Sequence, residues 1–190
     1  MAAPVVSAIP AWAARLTGEL DAADARAIAL ARPLTIAQLN WKPSPQQWSV
    51  GQCLEHLAVS TELYLPPMND ALAGAPAGIA DEISPGGPSR WFIRKFIAPS
   101  TTRAKAPTKI APGSNVDSAI VDRFLAGNRE MRALMARASA HDINRIRFKN
   151  PFVPVIRFTV GTGMEIIAKH AARHLLQAER VKAAPGFPAA

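Results

Sequence analysis

Residues 164–181 read MEIIAKHAARHLLQAERV, and their apolar side chains recur at the three- and four-residue spacings of one helix face. At about 100° per residue, His174 falls about 20° from both Ile167 and Val181, in a stripe that also holds Met164, Ala171 and Ala178. The stripe predicts that His174 points inward. His170 stands one turn earlier on the same face, so two imidazoles can reach one ion. Upstream, Thr162 and Glu165 have capping-box spacing and predict that the helix opens there and runs to about Val181.

Working outward, three more helices are predicted. Residues 10–32 are rich in alanine and place Trp12, Leu16, Leu20, Ala23, Ala27 and Leu30 on one face, with Pro33 as the stop. The following LTIAQLNWKPSPQQWSV reads as a proline-bearing connection; Ser49 and Gln52 then form a capping-box pair that starts a helix over 50–72. Pro66 and Pro67 predict a kink or break in it, because proline lacks an amide donor and clashes with the preceding turn. Ser114 and Asp117 resemble a further cap, before a stripe of Ile120, Phe124, Met131, Leu134 and Ala138 that ends near Ala140. HDINRIRFKNPFVPVIRF (141–158) reads as a connection, and the tail APGFPAA as frayed.

Four helices, little strand signal and no internal repeat predict an all-α four-helix bundle in one domain over 1–190, with its core at about 10–182. The long segment 74–115 fits a crossover between the second and third helices, and a loop of that length calls for a structural or functional reason. Part of it, SRWFIRKFI (89–97), predicts a short amphipathic helix packed on the bundle.

Composition narrows the setting. The 190 residues are 49% hydrophobic and 19% charged, enough for a core without a metal or disulfide as a staple. Cys53 is the single cysteine, so no internal disulfide forms, and cytoplasm is the default compartment. No stretch approaches the roughly 20 apolar residues of a membrane span, and the N-terminal MAAPVVSAIPAWAARL lacks the basic start of a signal peptide. The net charge of +8 gathers at Arg90, Arg94, Lys95, Arg103, Lys105 and Lys109, and again at Arg145, Arg147, Lys149 and Arg157. We read these clusters as a solvated basic surface around a pocket rather than as a nucleic-acid footprint.

The chemistry lies in the histidines. HAARH has Ala171 where a zinc protease needs its glutamate base, which rejects that reading. His56, one turn after Cys53 on the second helix, offers a third ligand beside His170 and His174. Three neutral imidazoles with open positions suit zinc, nickel or iron(II), and ligand type alone does not choose among them. Gln177, three residues beyond His174, is placed either to orient a ligand or to satisfy a polar core edge. Arg173 flanks the histidines and is expected to pair with a neighbouring helix. Cys53 reads as a buried structural thiol, Trp41 and Trp48 as packing at the start of the second helix, and His141 as a helix-end cation outside the site.

WKPSPQQWSVGQCLEHLAVSTELY (41–64) and MEIIAKHAARHLLQAERV resemble the two signature regions of the DinB-like family, a resemblance that extends over nearly the whole chain. It implies an up-down-down-up four-helix bundle whose triad, here His56, His170 and His174, binds a divalent metal, often nickel or zinc, in an open pocket. It also implies a metal-dependent enzyme that activates a small thiol or water, of thiol-transferase or hydrolase type. The alternative is a stress-related protein that binds metal or ligand without turnover. The partners expected are a small-molecule substrate, a low-molecular-weight thiol among the candidates, and a second copy in a homodimer.

Overall fold

The computed structural model describes residues 9–98, 107–153 and 155–189. It is mostly helical, with four long helices: α1 (Ala11–Ala31), α3 (Val50–Leu72), α5 (Ile120–Ala138) and α6 (Val160–Lys182). Two short ones, α2 (Ile36–Asn40) and α4 (Gly87–Phe92), lie in the connections. α3 packs against α5 and α6, and α1 packs against the same two helices. The apolar stripes read from sequence are those that meet inside. Trp12, Leu16, Leu20, Met68, Met131, Leu134 and Met164 form one buried cluster, and Ala27, Leu54, Phe124, Leu175 and Ala178 belong to a second.

The Ser49–Gln52 capping box is present in full: Ser49 Oγ accepts from the Gln52 amide, and Gln52 Oε1 accepts from the Ser49 amide. It satisfies orphan donors and fixes where α3 starts. The break expected at Pro66 and Pro67 does not occur; α3 continues to Leu72. Tyr64, Met68 and Leu72 extend the buried stripe through the prolines, so burial on one face offsets the lost backbone bonds.

Three other expectations are corrected. α6 opens earlier than the Thr162–Glu165 spacing suggests: Thr159 is the cap and accepts from the Thr162 amide, while Glu165 pairs with Arg15 and Lys169. Ser114 is not a cap, because α5 starts after Ala119, whose amide is held by Asp117 Oδ1. The stretch before α6 is not merely a connection. It forms an antiparallel pair, β1 (Arg147–Lys149) and β2 (Arg157–Thr159), with Phe148 opposite Phe158, both buried, while Arg147, Lys149 and Arg157 face out. The connection after α1 likewise holds α2, capped by a Thr35–Gln38 box.

The tail is docked rather than frayed. Phe187 packs edge-on against Trp41 at 5.4 Å, and Gln38 Nε2 donates to the Pro188 carbonyl. The 89–97 stretch is helical as expected, in α4 and a wider π-type turn over Ile93–Ile97. Ile93 and Ile97 are buried, whereas Trp91, Arg94, Lys95 and Phe96 stay exposed. Arg103 and Lys105 of the first basic cluster lie outside the described residues. Where α3 and α6 cross, a Cβ on Gly163 would stand 2.6 Å from Met68 Sδ and 2.8 Å from the Phe148 ring, so only glycine allows this approach. No helix among the described residues is long and apolar enough to cross a membrane.

Candidate metal centre

The α3–α6 interface brings His56, His170 and His174 together. One ring nitrogen from each lies within 4.8 Å of the others, and all three side chains are buried. His56 Nε2 is 3.1 Å from His170 Nε2, and the rings meet edge-to-face with centroids 4.5 to 4.8 Å apart. The single histidine of α3 and the i, i+4 pair of α6 thus reach a common point, and they form a group that could hold a metal ion. His141 lies elsewhere, with its Nδ1 on the Pro76 carbonyl.

The outward nitrogens are tied down, and this sets the chemistry of the inward ones. His56 Nδ1 is 2.7 Å from the Ile110 carbonyl oxygen, which can only accept, so Nδ1 carries the proton and Nε2 keeps its lone pair. His174 Nδ1 is 2.9 Å from Gln177 Oε1, and the same reasoning leaves its Nε2 unprotonated. Burial lowers the pKa of all three histidines: that of His56 falls despite the Ile110 carbonyl, that of His170 lies well below the ordinary value, and that of His174 falls to about 3. For His170 and His174, the neighbouring imidazoles and Arg173 add to the lowering. Near neutral pH the cluster is therefore three uncharged imidazoles, the form that donates to a metal.

Two contributors escaped the sequence reading. Ile110 comes from a 3₁₀ turn, Thr108–Ile110, inside the long connection. That connection also accepts Gln52 Nε2 at the Gly113 carbonyl, 2.6 Å, and donates the Gly113 amide to Glu55 Oε2, 2.7 Å. Nothing in its side chains announces this, since the contacts are made by main-chain atoms. The second contributor is Trp48, whose ring stacks on His174 at 5.6 Å and 28° and lies 4.8 Å from that of His56. Its place one residue before the α3 cap was the available signal.

A cavity of about 290 Å³ opens beside the histidines, walled by Trp48, Tyr64, Phe92, Phe96, Phe152 and Ile167 among others. Arg173 also borders it and donates to the Ala98 carbonyl at 2.9 Å, which ties α6 to the end of the π-type turn. Cys53 is buried outside the triad, and burial raises its thiol pKa, so it has no thiolate character.

The arrangement is that of a helical protein with a buried histidine triad, able to hold a metal ion, at the wall of a mostly apolar cavity. The family model described as the DinB superfamily matches residues 19–178, and the chain belongs to that superfamily. No curated protein and no solved structure matches it.

Proposed function

We propose that His56, His170 and His174 bind a divalent cation, nickel or zinc before iron(II), and that the protein is an enzyme activating a small thiol or water, of thiol-transferase or hydrolase type. The observation that carries this reading is the pair of outward anchors, the Ile110 carbonyl and Gln177 Oε1. They hold the protons of His56 and His174 on Nδ1 and turn unprotonated Nε2 atoms toward one point. A bound divalent cation would supply Lewis acidity, bringing a thiol or water toward ionisation near neutral pH. The chain's own residues would do the rest. Gln177 and Ile110 keep the imidazoles in register, and the aromatic walls exclude water and hold the organic part of a substrate.

The bundle that would carry this site is a single domain with up-down-down-up topology. The order of cross-helix pairs supports that topology. Arg15 with Glu165 and Arg26 with Glu179 advance together along α1 and α6, whereas Arg32 with Asp122 and Asp24 with Asn128 run in opposite senses along α1 and α5.

Elemental analysis of untagged protein tests the metal reading. Wild type should carry about one equivalent per chain and His170→Ala near none. Wild type near zero, not restored by added nickel or zinc, would sink it. Thiol cosubstrates screened against electrophiles should give turnover that His174→Ala lacks; equal inactivity of the two proteins throughout would remove the enzyme reading.

A further inference from the structure

Beyond the histidines, α3 sends a second polar group to the cavity wall. His56, Ser60 and Tyr64 follow one another at four-residue spacing, and all three line the cavity. Ser60 is already engaged, donating to the His56 carbonyl at 2.6 Å. Tyr64 is different. Its hydroxyl stands 3.3 Å from Asn150 Nδ2, and the orientation of the Asn150 amide is fixed from its other end. Asn150 Oδ1 accepts from the amides of Phe152 and Val153 at 2.7 and 2.9 Å, so the NH₂ group faces Tyr64. The phenol oxygen is therefore the acceptor in that bond, and its own proton is left to give. Among the described residues the bond from Asn150 is the one hydrogen bond at the Tyr64 hydroxyl, and the hydroxyl donates to none. A phenol proton with no protein acceptor at a cavity wall is available to a ligand oxygen.

The walls say what kind of molecule brings that oxygen. Phe92 and Phe152 flank the cavity, the Phe152 ring lying 5.6 Å from that of Tyr64, with Ile166 and Ile167 on the α6 side. Such a lining favours a flat apolar body. Eight residues of helix separate Tyr64 from His56, about 12 Å along the axis, so the acceptor lies at the end of the ligand remote from the histidines.

We propose that Tyr64 is a specificity-determining residue whose hydroxyl donates to a carbonyl-type oxygen on an apolar, ring-bearing substrate. The inference does not require a metal at the histidines, and its test works without one.

The probes are 4-methylacetophenone and 4-isopropyltoluene, which share ring and shape and differ in the carbonyl. Dissociation constants are measured by ligand-detected NMR on protein as purified, for wild type and Tyr64→Phe. The preference for the ketone over the hydrocarbon should fall about five- to tenfold in Tyr64→Phe, the worth of one hydrogen bond. Loss of the Asn150 contact is common to both ligands and cancels in the ratio. A ratio that changes less than twofold, or no binding of either ligand to wild type, overturns the proposal. Should Tyr64→Phe fail to fold, the carbonyl ¹³C resonance of the ketone decides on wild type alone. It lies downfield of the same ketone in cyclohexane if the bond forms, and a bound resonance at the cyclohexane position rejects it.

Discussion

Helix α6 carries two kinds of buried polar group, and they are built on opposite principles. Glu165 receives Arg15 Nη2 from α1 at 2.7 Å and Lys169 Nζ from its own helix at 2.9 Å, and Arg15 is shared with Glu19, so two cations meet two carboxylates. The α1–α5 contact is similar, with Asp24 accepting from Asn128 and Arg132. Toward α3, the same helix offers His170 and His174 to His56, three side chains of one kind with no acid among them. The first arrangement sets donors and cations against acceptors and carboxylates and fixes how helices pack. The second gathers ring nitrogens with no acid to pair them, and His56 Nε2 and His170 Nε2 face each other at 3.1 Å, so the lone pairs converge as a cation site requires. Fractional burial would not distinguish them, since Glu165, His170 and His174 are each 8% exposed. The partners make the difference.

The largest change should come from breaking the charge-paired network. Asp24→Ala leaves the buried Asn128 amide without its acceptor and Arg132 with Asp21 alone; Arg132 Nε has no partner among the described residues even before the change. Urea unfolding should show a loss of about 2 kcal/mol with metal content unchanged. A loss of metal with stability intact would reverse the roles assigned to the two regions.

Gln177→Leu probes the open side. It removes the acceptor that holds the His174 proton on Nδ1, and zinc affinity measured by chelator competition should fall about tenfold while the urea midpoint stays near wild type. An unchanged affinity would mean that Gln177 only fills a polar edge.

The smallest effect is a slope. Burial raises the pKa of Glu165, but hydrogen bonds from Arg15 and Lys169 outweigh burial and leave it lowered in the folded chain. The ion pair therefore contributes in full above the unfolded carboxylate range, near pH 4.3, and its contribution is lost as pH falls through the folded value. Stability profiles of wild type and Glu165→Gln should converge below about pH 4. The buried histidines, which the unfolded chain protonates below about pH 6.5, weaken both proteins alike and cancel in the difference. Profiles that stay parallel to pH 3 would show that Arg15 and Lys169 do not bias Glu165.

Much of the open region could be read from the sequence because helix periodicity and histidine spacing are local. The 164–181 stripe turned His174 inward, and the Ser49–Gln52 box fixed the register that brings His56 to the same point. What escaped depends on partners distant in the chain. RFK and RFT carry the basic–Phe alternation of strands, but three-residue strands gain a register only from each other and from the buried Phe148–Phe158 pair. Thr162 has the spacing of a cap, but β2 leads straight into α6 and moves the helix start back to Val160. Pro66 and Pro67 signal a break locally, and only the packing of Tyr64 and Met68 overrides it.

The long connection holds the histidine site through the carbonyl of Ile110 and both main-chain polar groups of Gly113. A grip made by the peptide backbone is nearly blind to side-chain identity. The connection can therefore accept many substitutions at 111–113 while keeping the His56 tautomer, provided the buried Ile110 and the path of the main chain are preserved. Drift in this loop would alter what surrounds the cavity and leave the geometry of the donors alone.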